Sequence, residues 1–174
     1  MTTKPSLDAI KTLREKTSAS LNDIREALAS AGGDEAKALA LLRQRGLAIA
    51  ERRQGRATGQ GRIEAYVHHD GRLGALVEVN CETDFVARTP EFAQFCRDVA
   101  MHVAAMGPRY LRLEDAPAVE GAGAEERKAH CLLEQPFVKD QGTTVQDLLK
   151  ALIAKTGENV VIRRFVKFGV GESA

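Results

Sequence analysis

Three short segments near the start of the chain carry apolar side chains at the spacing of an α-helix. Each begins at a residue type that favours a helix N-cap, Ser6, Ser20 and Asp34, and Gly46 is expected to end the third segment. The apolar positions that recur along one face are Leu7, Ile10 and Leu13, then Leu21, Ile24 and Leu28, then Ala38, Leu39 and Leu42. Residues 1–52 therefore predict a three-helix domain. A unit of this size is near the lower limit for an independent core, so we expect it to dock on a partner.

The pattern then changes to the alternation that is typical of β-strands. Residues 62–68 alternate apolar and polar side chains, the Asp70-Gly71 pair is a strong turn signal, and residues 73–79 return antiparallel. A segment rich in Val, Ile and Phe, residues 159–168, predicts a further strand. We expect a three-stranded antiparallel sheet.

Helical segments stand between these strands. A long helix is expected after Thr89, a short one over residues 124–134, and another between Thr144 and Gly157. The apolar stripe of the long helix is Phe92, Phe95, Cys96, Val99, Val103 and Met106, with His102 alongside. Residues 63–174 therefore predict an α+β core in which helices cover the sheet.

Residues 53–62, which join the two parts, predict a basic linker. From residue 43 to residue 62 the chain holds six arginines against one acid, Glu51, and its glycines follow no strand, so they do not form a phosphate-binding loop. Two interpretations of the arginines are open. One is a flexible, solvated connection, and the other is contact with RNA or the ribosome, although no aromatic side chains are interleaved.

Residues 80–88 connect an expected strand to the helix that begins after Thr89. Connections of this kind often present functional groups. The segment places a large apolar ring, Phe85, beside the carboxylate of Asp84 and the hydroxyl of Thr83. Either Phe85 and Val86 fold back into the core, or the segment protrudes as a wedge that enters a partner.

Composition and charge limit the classes of function. The 174 residues are 44% hydrophobic and 28% charged, as in soluble globular proteins, and the net charge of +1 argues against a polyanion as partner of the whole molecule, though not against a local basic patch. No apolar run approaches the about 20 residues needed to cross a bilayer, and residues 1–5 lack the apolar segment of a signal peptide. Three widely spaced cysteines suit a reducing compartment. We expect a cytoplasmic protein without membrane contact or bound metal.

No arrangement of catalytic residues is readable in the sequence. The adjacent His68 and His69 would point to opposite faces of a strand and so would not chelate one ion. A hydrolase built around Asp84 and a histidine is one alternative, but no histidine has a readable partner. An RNA-binding protein that uses the arginines of residues 43–62 is another, and it predicts binding that weakens steeply with salt.

Residues 78–88, Glu-Val-Asn-Cys-Glu-Thr-Asp-Phe-Val-Ala-Arg, resemble the core signature of the elongation factor Ts family. Residues 13–28 resemble the N-terminal signature of that family more loosely, and residues 132–140 resemble a segment of its short members, so the resemblance spans nearly the whole chain. It implies a guanine nucleotide exchange factor, not an enzyme, whose partner is the GTPase elongation factor Tu. It implies no cofactor and no direct contact with nucleic acid.

The resemblance also assigns roles to particular residues. The segment that enters the GTPase and displaces its bound magnesium ion is Thr83, Asp84, Phe85 and Val86. The N-terminal domain takes the ubiquitin-associated type of three-helix fold and docks on the same GTPase, and its docking positions are Leu21, Asn22 and Arg25. Asn22 stands where the family usually has an apolar residue.

Longer members of the family carry a second, related half of the core, which has no readable counterpart here. A symmetric homodimer would supply that half and would cover a sheet edge, for which the strand at 159–168 is the candidate. Val166 stands where a cysteine would link two such strands, so we expect a dimer without a disulfide. Arg163, Arg164 and Lys167 place charge on this strand, which favours a monomer.

Overall fold

A computed structural model of the protein describes residues 6–17, 19–117 and 123–172. The helices are α1 (Leu7–Thr17), α2 (Leu21–Ser30), α3 (Glu35–Arg53), α4 (Asp84–Ala87), α5 (Pro90–Met106), α6 (Ala124–Ala129) and α7 (Val145–Thr156). The strands are β1 (Gln60–Val67), β2 (Leu73–Cys81), β3 (Pro136–Phe137), β4 (Asp140–Thr144) and β5 (Val160–Gly169). The chain forms two compact units, which divide between Arg56 and Ala57, and residues Lys150–Asn159 belong to the first unit.

The first unit contains three helices around a core of their own. Each helix begins where the sequence predicts. The side chains of Ser6, Ser20 and Asp34 accept hydrogen bonds from the backbone N–H groups of Ala9, Asp23 and Lys37, respectively, in the first helical turns. The buried core residues are Ala9, Ile10, Leu13, Ile24, Ala27, Leu28, Ala38 and Leu42. Leu7 and Leu21, which the apolar pattern also placed inside, are instead exposed, because each lies in the first turn of its helix beyond the edge of the core.

The third helix does not end at Gly46, so this prediction is wrong. α3 continues to Arg53, and Gly46 lies inside it, facing residues 150–159 of the same unit. A Cβ built at Gly46 would lie 3.6 Å from the Cβ of Ala154. This is an ordinary contact distance, so Gly46 does not end the helix and the site has room for a methyl group. The segment between α3 and β1 shortens to residues 54–59, and most of the arginines assigned to a flexible connection are helical.

The second unit is built on the predicted three-stranded antiparallel sheet, in the order β1-β2-β5. The hairpin turns at Asp70-Gly71, where Gly71 has a φ of 68°. β1 begins two residues before the predicted start, and its Gly61 has a φ of 155° directly opposite Asn80. A Cβ at Gly61 would collide with the carbonyl oxygen of Val79 and lie 2.7 Å from the Cα of Asn80, so only glycine fits this register.

One face of this sheet is covered by α5, and the other face is exposed. The inner face, which includes Val77, Val79 and Ile162, is buried, and α5 packs against all three strands. The outer face carries apolar side chains that are between 42% and 69% exposed, namely Ile63, Val67, Leu76, Val166 and Phe168. We call this outer set the open face. Its members are neighbours across the strands, since Leu76 lies opposite Ala65 and Val166.

α5 forms as the sequence predicts, and its predicted apolar stripe is buried except at Met106, which lies in the last turn and is 44% exposed. Thr89 caps it through the backbone N–H of Phe92, and Gly107 ends it with a φ of 58°. His102 is fully buried beside the apolar stripe. Its Nδ1 accepts a hydrogen bond from the backbone N–H of Val138 at 3.2 Å, so Nε2 carries the proton and donates to Oε1 of Gln135 at 2.9 Å. Burial lowers the pKa of His102, which keeps the ring neutral in the fold.

The part of the chain between α5 and α7 differs most from the sequence prediction. The short helix expected over residues 124–134 ends at Ala129, and residues 132–134 form a separate turn of 3-10 helix. β3 and β4 form a small two-stranded sheet that the sequence pattern did not indicate. Residues 1–5, for which the sequence predicts no signal peptide, lie outside the described residues.

Candidate partner-binding site

The segment after β2 is a single helical turn, α4, fixed at both ends. The Thr83 hydroxyl accepts a hydrogen bond from the backbone N–H of Val86 at 3.4 Å and so caps the turn at its start. At its end, the Thr89 hydroxyl donates to the carbonyl of Val86 at 2.8 Å and also accepts from the first turn of α5. One threonine therefore joins two helices. The segment is held as a defined corner between β2 and α5.

The Phe85 side chain projects from this corner into solvent. Phe85 is 80% exposed, among the most exposed large apolar side chains of the described residues. The interpretation in which Phe85 folds back into the core is therefore wrong. Val86 is only partly exposed. Within α4, Phe85 is therefore the apolar side chain that faces solvent.

The carboxylate of Asp84 lies beside Phe85 and is paired with Arg88. The Arg88 Nη2 to Asp84 Oδ2 distance is 3.1 Å, and both side chains remain largely accessible. An exposed pair of this kind contributes little to stability, so either group is available to a partner. The hydrolase interpretation required a histidine beside Asp84, whereas the structure pairs this carboxylate with an arginine.

Buried residues support the corner from below. The Cys81 thiol at the end of β2 donates to the carbonyl oxygen of Thr83 at 3.1 Å, and Cys81 itself is fully buried. Cys96 of α5 is also buried, and this burial raises the pKa of its thiol to about 12. In the described structure the three cysteines are buried and form no disulfide. The Cys81 and Cys96 thiols act as small core groups of the second unit.

The docking positions predicted in the first unit share the exposed side of α2. Leu21, Asn22 and Arg25 are all exposed. On the neighbouring part of the helix, Arg45 of α3 bonds to Glu26 at 3.0 Å, which ties α2 to α3. The three predicted residues thus lie together on one helix whose position in its bundle is fixed.

The structure also bears on the adjacent histidines, on metal binding and on a membrane span. The prediction that His68 and His69 point to opposite faces of a strand is wrong, because both residues follow the end of β1 and their ring centroids lie 4.2 Å apart. His68 Nδ1 is hydrogen-bonded to the Tyr66 hydroxyl at 3.0 Å. Across the part of the chain that the structure describes, no three His, Cys, Asp or Glu side chains group as a metal site. No helix in that part has the length and apolar character to cross a membrane.

Comparison with known proteins gives the family. The family model described as Elongation factor TS matches residues 7–121, which include both α2 and α4. The chain belongs to the elongation factor Ts family. Elongation factor Ts of Rubrobacter xylanophilus is 48% identical over 93% of this chain and 97% of its own length. The proteins of the same name from Carboxydothermus hydrogenoformans and Thermoanaerobacter sp. are 47% and 44% identical, over 94% and 96% of this chain and over 88% and 95% of their own lengths.

The resemblance to the elongation factor Ts family that the sequence indicated is therefore confirmed. Sequence reasoning did not foresee two parts of the site, the helical turn α4 and the pairing of Asp84 with Arg88. A signal for the turn is present, because Thr83 and Thr89 are both cap residues that stand before short helical segments. The ion pair between Asp84 and Arg88 could be predicted only once α4 is known, because a helical turn places residues four positions apart on the same side.

Proposed function

We propose that this chain is a guanine nucleotide exchange factor for the GTPase elongation factor Tu in polypeptide elongation. It acts by binding a protein and not by covalent chemistry, and translation takes place in the cytoplasm, which is therefore the proposed location. The observation that carries the proposal is the exposed Phe85 on a corner fixed by Thr83 and Thr89. Membership of the elongation factor Ts family supports it.

The task of such a factor is thermodynamic. A GTPase holds its nucleotide through a phosphate loop and a magnesium ion, and release without help is slow. A partner that prefers the empty GTPase weakens nucleotide binding by the same factor, because coupling between two ligands is reciprocal. A shift of about 10⁴-fold requires about 5.5 kcal/mol of differential binding. One buried aromatic side chain contributes about 1.5–3 kcal/mol, so Phe85 must act within a wider interface.

Within this proposal the magnesium ion is displaced by the α4 corner. Phe85 enters the GTPase as a rigid apolar wedge, and Val86 and Thr83 keep the turn that carries it in place. Asp84 exchanges its pairing with Arg88 for groups of the GTPase. The short side chains and the capped turn mean that little conformational entropy is lost on insertion.

The first unit supplies additional affinity in this proposal. Its fold is of the ubiquitin-associated type, and the exposed side of α2 with Leu21, Asn22 and Arg25 docks on the GTPase. Leu21 offers an apolar contact that is 40% exposed, and Arg25 offers a charge. Asn22 contributes polar contacts in place of an apolar one.

A homodimer is the second part of the proposed assembly. β5 is an edge strand, as expected, but its edge carries a β-bulge and two arginines, features that oppose edge-to-edge pairing. The open face is the better surface, because it groups Ile63, Val67 and Phe168 on one side of the sheet. A second copy that placed its own open face there would cover both sets without a disulfide.

Release of labelled GDP from purified elongation factor Tu tests the exchange function. The intact chain, added in excess over the loaded GTPase with unlabelled GDP as trap, is expected to raise the release rate by orders of magnitude. A release rate that is the same with and without the chain would contradict the proposal. Omitting magnesium from the buffer should raise the unassisted rate and narrow the difference, if displacement of the ion is the step that the chain promotes.

A further inference from the structure

A groove of about 410 Å³ beside β5 in the second unit is lined by four arginines. Arg109 and Arg112 come from the segment after α5, and Arg163 and Arg164 come from β5. Leu111 and Phe165 add apolar surface between them. The proposed contacts with the GTPase do not use this groove, which we call the arginine groove.

The backbone of the first wall is held in place by hydrogen bonds. The N–H groups of Arg109 and Tyr110 donate to the carbonyl of His130 at 2.9 and 3.1 Å, and the N–H of Leu133 donates to the carbonyl of Leu111 at 3.1 Å. The two arginines of this wall therefore project from a fixed base. A binding site needs this kind of preorganisation, because less entropy is then lost when a ligand binds.

In the second wall, a β-bulge in β5 sets the positions of Arg163 and Arg164. Glu78 of β2 pairs with Arg164, whereas the next residue, Val79, pairs with Ile162, so Arg163 is the extra residue on β5. Both arginines are exposed although they are consecutive. The groove is lined by every residue from 161 to 165, which means that β5 meets it with an edge and not with one face.

The charges in the arginine groove are only partly neutralised. Arg164 is paired with Glu78 at 2.6 Å, and Arg112 approaches Glu114 at 3.9 Å. Arg109 and Arg163 form no ion pair with any residue that the structure describes, although the charge of Arg163 helps to lower the pKa of Glu78. The carboxylate in the lining, Asp115, accepts a hydrogen bond from the backbone N–H of Arg112. Arg109 and Arg163, which lie on opposite walls, are therefore available to bind an anion.

We propose that the arginine groove binds nucleoside phosphates, with Arg109 and Arg163 on the phosphate oxygens. The planar guanidinium group matches a phosphate with two parallel hydrogen bonds. The volume suits one nucleotide, and Phe165 and Leu111 offer a surface for the base. An acidic peptide is the less suitable anion, because its carboxylates bring no base to lie on Phe165 and Leu111.

Binding to the full chain tests this proposal with two probes of the same chemistry. A fluorescent oligouridylate of about a dozen nucleotides represents an RNA strand, and uridine monophosphate represents a free nucleotide. Fluorescence anisotropy measures affinity for the strand, and ¹H–¹⁵N spectra report shifts at the Nε–H groups of Arg109 and Arg163 for either probe. Shifts with both probes indicate a free nucleotide as the ligand, and shifts with the oligonucleotide alone indicate an RNA strand. Either result supports the proposal.

The variant Arg109→Gln/Arg163→Gln should weaken oligonucleotide binding by about tenfold or more. It should also reduce the slope of log affinity against log salt concentration by about 1.4, because two phosphate contacts of a single strand are lost. Arg109→Lys/Arg163→Lys, which keeps the charge but loses the planar fork, should fall between this variant and the parent. The matched control is Arg43→Gln/Arg72→Gln, which removes the same charge from exposed positions outside the groove.

Three results would overturn the proposal. One is the absence of shifts at Arg109 and Arg163 with both probes at millimolar concentration. Another is an equal loss of affinity in the control variant, which would show a general charge effect. The third is tighter binding of a polyglutamate peptide of the same charge, which would assign the arginine groove to an acidic protein segment. None of these readouts depends on GDP release, so they test the arginine groove independently of the proposed exchange function.

Discussion

Phe85 is an apolar side chain that the fold leaves in water. Burying a phenylalanine contributes about 1.5–3 kcal/mol, and the 80% exposure of Phe85 leaves most of that free energy unused within the chain. The same burial is available to an interface. An exposed ring on a corner that three hydrogen bonds define is a side chain positioned for contact with another molecule.

Phe85→Ala is expected to slow the stimulated release of GDP from elongation factor Tu by about 10- to 100-fold, the kinetic equivalent of 1.5–3 kcal/mol. Its free energy of unfolding should change by less than about 0.5 kcal/mol, because the ring makes few contacts in the free protein. Stopped-flow release of fluorescent GDP and urea denaturation provide the two measurements. Parental exchange by the variant would show that Phe85 is not the wedge.

The matched control is Phe92→Ala, only seven residues away and fully buried in α5. This variant should lose about 3–5 kcal/mol of stability, since it removes a ring from the core. If Phe85→Ala lost a similar amount, the ring would have a structural role and the wedge proposal would fail.

His102 predicts a second effect at the scale of one residue, a loss of stability in mild acid. Burial lowers the pKa of His102 in the fold below its ordinary value of 6.5, which we assume for the unfolded chain. Below pH 6.5 the unfolded chain therefore takes up a proton that the folded chain does not, and the free energy of unfolding falls as the pH falls. Above pH 6.5 both states are neutral and His102 adds no pH dependence.

Urea denaturation between pH 7.5 and pH 5 measures this effect. In His102→Gln the slope of stability against pH over this range should become shallower, whatever the variant costs in absolute stability. His69, which is exposed, offers the control variant His69→Gln, for which the parental slope is expected. An unchanged slope in His102→Gln would show that the ring is not the group that titrates.

At the scale of elements, the sequence predicted starts of helices better than their ends. The side chains of Ser6, Ser20, Asp34 and Thr89 cap helices as expected, because a cap needs only one short polar side chain near the first free N–H groups. Gly46 was misread because its packing partner, Ala154, is more than a hundred positions away along the chain. Contacts of this range are invisible to a local pattern.

The same limit explains the other differences. β3 and β4 pair over a short hairpin whose sequence, Pro-Phe followed by Asp-Gln-Gly-Thr-Thr, has no alternation to indicate strands. The arginine groove was equally unpredictable, because its bulge depends on the register between β5 and β2. The candidate site at Phe85 could be named from its motif, but its exposure could not, since burial is a property of the assembled fold.

Two glycines give opposite predictions for alanine substitution. Gly46→Ala should raise the free energy of unfolding by about 0.5–1 kcal/mol, because α3 is helical there and the new methyl group would meet Ala154 at an ordinary contact distance of 3.6 Å. Gly61→Ala should lower it by more than about 1 kcal/mol, since its Cβ would collide with the β2 backbone. Thermal and urea unfolding of both variants would check the pair. Destabilisation by Gly46→Ala would show that the methyl group does not fit against Ala154.

The exposed side of α2 predicts a loss of affinity without a loss of fold. Leu21→Ala/Arg25→Ala should raise the dissociation constant for nucleotide-free elongation factor Tu by about tenfold, as expected for an apolar contact and a charge at the edge of an interface. Its unfolding curve should match that of the parent, because both side chains are exposed. The comparison variant is Arg14→Ala, at an exposed position of α1. Equal affinity of the double variant and the parent would remove α2 from the interface.

At the scale of the whole molecule, the largest unexplained feature is the open face. An antiparallel sheet commonly leaves one face to solvent, but that face is then lined with polar side chains. Here Ile63, Val67, Leu76 and Phe168 occupy it while helices cover the other side. A soluble chain keeps such a surface when something covers it in solution.

A homodimer through the open face predicts a mass that depends on concentration. Sedimentation equilibrium should give a mass approaching twice the 18.9 kDa of one chain as the concentration rises through the micromolar range. Val67→Lys/Phe168→Lys should hold the mass at the monomer value, because two buried charges on each partner would oppose association.

Arg163→Glu, at the edge of β5, separates the two modes of pairing. It should leave a dimer through the open face intact, whereas loss of the dimer would indicate contact through the strand edge. A parental mass that stays near 18.9 kDa at every concentration would rule out a dimer and leave the open face for elongation factor Tu.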